Sequence, residues 1–180
     1  MVTCPTYSTD IGHEVSTLVD LLGYRAQNQS DQTGYIFLQD GETEADRLTY
    51  QELDRQARAI ASQLQSLDAV GSRALLLYPP GLEFVAAFFG CLYAGVVAVP
   101  AYPPRPNQNM SRLQAIVSDA RAKVALTVTS ILTRIEHQFD QNPELAAMHW
   151  LATDNIANDQ AAAWQKPELS SDTLAFLQYT

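Results

Sequence analysis

The sequence predicts an α/β fold: a largely parallel sheet flanked by helices, with an antiparallel hairpin near the N-terminus. Three observations carry that prediction. The runs "RALLLY" and "VVAVPA" are almost continuously apolar and are separated by a helical stretch, as in parallel strands covered on both faces. Asp40-Gly41 is a strong turn pair inside "GYIFLQDGETEADRLTY", between two β-rich runs. Thr49 and Glu52 form a T-x-x-E capping box ahead of an apolar stripe of helical period.

Taken in order, residues 1–15 read as a flexible tail. Ser16 is then expected to cap a helix over 17–27, with Leu18, Leu21, Leu22 and Arg25 at helical spacing. After the hairpin, the capped helix carries Leu53, Ala57, Ile60, Ala61, Leu64 and Leu67 on one face, and leaves Asp54, Arg55 and Arg58 on a wet one. From Arg73 the pattern is strand, helix over 82–94, strand. A helix over 112–122, capped by Asn109 or Ser111, leads to the strand "VALTV". Another helix starts after Thr129 or Ser130, with Ile131, Ile135 and Phe139 at four-residue spacing. A short run "MHWLAT" and an irregular Ala- and Gln-rich stretch follow, and "LAFLQYT" closes the chain as a strand entering a core. Phe84 to Tyr102 carries no charge, but Gly95 and Pro100 interrupt it and "VVAV" suits a strand, so buried helix plus buried strand is expected rather than a membrane span.

The 180 residues suffice for one sizeable domain, and a composition of 47% hydrophobic and 17% charged residues is that of a folding chain. A net charge of −9 and a pI near 4.6 repel polyanions and argue against nucleic-acid binding. Glu136, Asp140, Glu144, Asp154, Asp159, Glu168 and Asp172 face few cations and read as a solvated acidic flank. Cys4 and Cys91 make neither a disulfide framework nor a metal-ligand spacing, and the opening residues lack a secretory signal. A reducing, cytoplasmic location is expected.

Catalytic candidates are sparse. His13, His137 and His149 have no local partner pattern and are expected to be structural or exposed. The metalloprotease, nucleophile-elbow, dinucleotide and P-loop patterns are all missing. One loop stands out: "VPAYPPRPN", residues 99–107, leaves the carboxyl end of a buried parallel strand, where open α/β sheets bind ligands. Proline would hold a stacked Tyr102 and a fanned Arg105 in place before binding. The plainer reading, a rigid crossover whose Tyr102 covers apolar surface, is favoured because such crossovers need no ligand. Phe84, Phe88, Phe89, Leu92 and Tyr93 read as core, with an edge that an acyl chain could meet.

Together, "LTYQELDRQARAIASQLQ", "LLLYPPGLEFVAAFFGCLYAGVVAVPAYPPRPN" and "DTLAFLQYT" resemble the opening segment of a fatty acyl-AMP ligase, a member of the adenylate-forming superfamily. The resemblance spans the chain from Leu18 onward. It implies a partial adenylate-forming fold, with 16–180 as its N-terminal subdomain, stopping before the phosphate-binding loop. It implies that the intact enzyme uses ATP and Mg²⁺ to turn a fatty acid into an acyl-adenylate. The acyl group then passes to the phosphopantetheine of an acyl carrier protein, in a polyketide or lipopeptide type of pathway. Thr180 would match the first residue of the phosphate loop, and Tyr102, Pro103 and Arg105 would border the acceptor or substrate channel. No catalytic or metal-binding residue falls within this stretch, so the piece alone is expected to be inactive and to bind ATP and Mg²⁺ poorly. Its partners would be the fatty acid, the carrier protein and the remainder of its own ligase domain. Two alternatives stay open: a short non-catalytic binding module on the same fold, and part of a long-chain acyl-CoA synthetase.

Overall fold

The computed structural model describes residues 15–104 and 110–179. The expected tail therefore lies, except for Val15, outside the described residues.

Helix α1, Leu18–Asn28, begins at Thr17, whose backbone is extended and whose hydroxyl accepts from the Asp20 amide. Ser16, the expected cap, instead donates to the Asp20 carboxylate, one position too early to reach the open amides. Strands β1, Thr33–Leu38, and β2, Glu44–Thr49, pair antiparallel with two register shifts. Their turn is built on Asp40, whose carboxylate accepts from the Glu42 and Thr43 amides and the Thr43 hydroxyl; these bonds hold its pKa at about 2. Helix α2, Tyr50–Ser66, opens on the predicted capping box, with Thr49 and Glu52 satisfying one another's amides.

Strand β3, Arg73–Leu77, helix α3, Leu82–Ala94, and strand β4, Val97–Ala101, form the predicted βαβ unit. Gly95 closes α3 in the left-handed region at φ 67°, where a side chain would be strained. Helix α4, Ser111–Ala120, strand β5, Val124–Thr127, and helix α5, Thr129–Glu136, continue the alternation. A short helix α6, Pro143–Ala146, precedes strand β6, His149–Ala152. The α4 cap differs from expectation: Met110 holds the cap position with no side-chain bond to the helix, Ser111 is already helical, and Asn109 lies outside the described residues. Phe139 falls beyond α5 in a 3-10 turn and stacks on Trp150 instead, ring centroids 5.5 Å apart.

The sheet runs β4-β3-β5-β6, all parallel. Right-handed crossovers put α3 and α4 on opposite faces, because the chain leaves β3 for one neighbour and returns past it to the other. The central strands are sealed: Leu75, Leu76, Leu77, Ala125 and Leu126 are fully buried. Helices α2 and α3 are in close contact at Gly90, where a Cβ would lie 2.6 Å from Ile60 Cγ2. Among the described residues no helix is long and apolar enough to cross a membrane.

The terminal strand is a correction. "LAFLQYT" makes one parallel bridge, Phe176 to Ala98, with Ala98 N–H donating to Ala175 O at 3.0 Å and Leu177 N–H to Ala98 O at 2.9 Å. Its β-forming composition meets β4 on one side and, among the described residues, no strand on the other. One face of the segment meets the core as expected, through Ala175, Leu177 and Tyr179, whereas Leu174 and Phe176 remain about half exposed.

Candidate functional site

The chain changes winding direction between β3 and β5, so the crevice beyond their carboxyl ends is where an open α/β sheet presents a ligand site. Three hydroxyl groups occupy that crevice. Thr127, the last residue of β5 and fully buried, donates to Leu77 O at 2.6 Å. Thr153, just past β6, reaches Thr127 O at 3.2 Å and lies 2.9 Å from the Tyr78 hydroxyl. Burial drives the Tyr78 pKa far above its ordinary value, so the phenol stays neutral and acts only through its hydrogen bond.

The helix starts at this edge already hold the chain's own acids. Asp154 accepts from the Thr129 amide at 2.9 Å and the Thr129 hydroxyl at 3.0 Å, and so supplies from β6 the cap that Val128 cannot give to α5. Glu83 lies in the first turn of α3, its Oε2 against Gly81. A phosphate arriving at the start of α5 would have to displace the Asp154 carboxylate. The edge therefore binds, orients and seals; among its described residues no group is placed as nucleophile or general base. Cys91 is fully buried and its thiol is pushed far up by desolvation, which removes it as a nucleophile. His137 and His149 are exposed, as are all seven acids of the acidic flank.

An aromatic file runs beside the crevice. Tyr78, Phe84, Phe88 and Phe176 follow one another with centroid spacings of 6.4, 6.2 and 5.8 Å. Phe89, Leu92 and Tyr93 are core as expected, whereas Phe84 and Phe88 are half-buried. Tyr102 continues from β4 and is 88% exposed, so it covers no apolar surface among the described residues. Pro103 is partly buried beside it. Arg105 and Thr180 lie outside the described residues. The structure thus brings Tyr102 and Pro103 to the carboxyl edge, next to the loop after β3.

A second polar group was missed by the sequence, which placed Asp54 and Arg58 on a wet face. Asp54 is only 8% exposed and accepts from the Tyr93 hydroxyl at 2.7 Å. Arg58 donates Nη2–H to Asp54 Oδ1 at 3.2 Å; its Nε, though 2.8 Å from Oδ2, is not aligned to donate. The guanidinium lies 4.6 Å from the centroid of Trp164, and the Trp164 indole donates to Tyr93 O at 2.8 Å. Burial and the Asp54 charge drive the Tyr93 pKa far up, keeping it a neutral donor. Helical periodicity cannot reveal that α3 and a distant tryptophan cover this side of α2.

Among the described residues no three His, Cys, Asp or Glu side chains converge to hold a metal ion. They do not fit Mg²⁺, which in an adenylate-forming enzyme would have to be held by other residues.

A parallel sheet wound from β3 to both sides, preceded by a hairpin and edged by a proline loop, is the α/β fold of the adenylate-forming enzymes. It superposes on 28% of a fatty acyl-adenylate ligase from L. pneumophila, whose structure contains acyl adenylate and pyrophosphate, with a TM-score of 0.81 and 35% identity over 91% of this chain. The chain belongs to the AMP-binding enzyme family, whose model matches residues 23–180. It is 50% identical over 171 residues to the medium-chain-fatty-acid–[acyl-carrier-protein] ligase JamA of Moorena producens, covering 93% of this chain and 29% of that protein. It is 34% identical over 160 residues to the long-chain-fatty-acid–AMP ligase FadD32 of Mycolicibacterium smegmatis, covering 86% of this chain and 25% of that protein. The chain thus spans less than a third of the length of these relatives.

Proposed function

We propose that this chain is the N-terminal subdomain of a cytoplasmic fatty acyl-AMP ligase that loads an acyl carrier protein. The observation that carries the reading is the 50% identity to a ligase named for a medium-chain fatty acid and an acyl carrier protein. In the complete enzyme a fatty acid carboxylate oxygen attacks the α-phosphorus of ATP. A new P–O bond forms, the α–β anhydride bond breaks and pyrophosphate leaves. The phosphopantetheine sulfur then attacks the acyl carbonyl carbon and AMP departs. This subdomain contributes scaffold and surface: the aromatic file for apolar contact, the segment approaching Thr180 for the phosphate loop, and Tyr102, Pro103 and Arg105 for the acceptor channel. The outer edge of the 174–177 segment, with Leu174 and Phe176 about half exposed, is where the remainder of the ligase would pack.

The test is acyl-adenylate formation by the full-length gene product, measured as pyrophosphate release with ATP and a medium-chain fatty acid, and acyl transfer to a phosphopantetheinylated carrier protein or to CoA. Activity with the carrier protein is expected, and none from the 180-residue chain alone. No adenylate from the full-length protein overturns the ligase reading, turnover by the short chain overturns the subdomain reading, and transfer to CoA replaces it with an acyl-CoA synthetase. In the same assay Arg105→Ala is expected to relax the preference for the carrier protein.

A further inference from the structure

The hairpin has one anchored face and two unlike edges. Leu48 is buried and Phe37 packs against the core, while Gly34 lies against the Tyr50 ring, where a Cβ would stand 2.8 Å from Cε1. The hairpin is therefore fixed on the domain, and its strands differ in what they offer sideways. Strand β2, "EADRLT", carries Glu44, Asp46 and Arg47, and Arg47 pairs with Glu44 at 2.7 Å on the exposed side. Charges along a strand keep an open edge from pairing. Strand β1, "TGYIFL", carries none, and its Tyr35, Ile36 and Leu38 are 37%, 53% and 42% exposed.

Successive side chains of a strand point to opposite faces, so Ile36 stands on the face away from Phe37. β1 is thus apolar on both faces and has no charge to guard its outer edge. That is the composition of a strand enclosed in a sheet, not of one that ends it. Among the described residues its only strand partner is β2, in a sheet of two. A second copy of the chain is a poor occupant of the other side, since a net charge of −9 drives copies apart. The remainder of the polypeptide is a better one: the chain spans less than a third of its relatives' length, and a ligase of that size has ample chain to add a strand.

We propose that the outer edge of β1 is a strand-docking site, filled in the complete protein by a strand from the remainder of the same polypeptide, which also covers Ile36 and Leu38. This rests on the subdomain reading above. The test is hydrogen exchange resolved to single amides in the full-length gene product, its Ile36→Lys variant and an Ala45→Lys control on the exposed part of β2. A lone antiparallel pair protects only alternate amides of its outer strand, because the others point away from the partner, whereas a docked edge protects consecutive ones. Consecutive protection over residues 35–38 is expected, each amide exchanging at least about tenfold slower than in an unstructured peptide. Ile36→Lys should speed these amides about tenfold with β3 and β5 unchanged, and Ala45→Lys should leave them alone. Protection at alternate positions only overturns the proposal, as does a folded Ile36→Lys variant with wild-type rates; should that variant fail to fold, the wild-type pattern decides. Consecutive protection that is lost on dilution, with a dimer in sedimentation, gives the edge to a second copy and overturns the intramolecular strand. Adenylate formation is read separately. Consecutive protection in a monomer that makes no adenylate sinks the ligase reading and leaves the docked strand standing; adenylate with alternate protection does the reverse.

Discussion

The α2–α3 face and the outer edge of β4 use the same kinds of side chain and reach opposite states. On the first, Leu53, Ala57, Leu64, Ala87 and Ala94 are fully buried, and even the charged Asp54 is closed in by hydrogen bonds. On the second, Leu174 and Phe176 stay about half exposed and Tyr102 stands in solvent, beside a ladder of one bridge. The difference lies in partners rather than composition: α2 has α3 and the 158–166 stretch against it, while the edge has β4 on one side only. A sealed face reports on stability, and a half-made edge with apolar side chains reports on an interaction.

The largest expected effect compares one leucine from each region. Leu76→Ala, in the middle of β3, should destabilise by about 2–5 kcal/mol, since the cavity cannot collapse between close-packed neighbours. Leu174→Ala should change stability by no more than about 0.5 kcal/mol. Chemical denaturation of both variants checks the pair, and equal losses would mean that the edge is as well packed as the core. Next in size, Tyr93→Phe removes the hydroxyl that bonds Asp54 and should cost about 1–3 kcal/mol, because a buried acceptor loses a partner. A loss near zero would show water replacing the phenol and would weaken the view of this face as sealed.

What could be read from the sequence was local. The Asp40 turn, the Thr49–Glu52 box, the limits of α3 and the buried run of β5 each depend on residues within a few positions, and each is present in the fold. What could not be read depended on contacts from far along the chain. Asp54 and Arg58 have the spacing of a solvated face, yet Asp54 is closed in against Tyr93 and Arg58 is partly covered by Trp164. The Thr127 hydroxyl, a polar group ending an otherwise apolar strand, was the one available hint of the crevice network. "LAFLQYT" has strand composition, but a strand needs neighbours, and their number is a tertiary fact. Tyr102 and Pro103 could be placed at the carboxyl edge from the strand pattern alone; whether Tyr102 was covered could not.

The smallest expected effect sharpens the comparison at the place where the two regions are tied together. Lys166, on the segment leading to the edge, pairs with Asp20 on α1. Lys166 and the Thr17 and Ser16 hydroxyls hold the Asp20 pKa down at about 2. An unfolded aspartate titrates near 3.9, so the folded value is the lower one. Any stability from this group is therefore present above roughly pH 4 and is lost as pH falls through about 2. Because Lys166 is 62% exposed, the pair should contribute less than about 1 kcal/mol. Carboxyl titration by NMR should show the Asp20 pKa rising in Lys166→Met, yet stopping short of the ordinary value, since Thr17 still donates from the helix start. An Asp20 that stays at about 2 in that variant would assign the depression to the α1 cap alone. The segment would then lose one of its ties, leaving the edge to the bridge at Ala98, the Phe176–Phe88 ring contact and the Tyr179–Asp119 hydrogen bond.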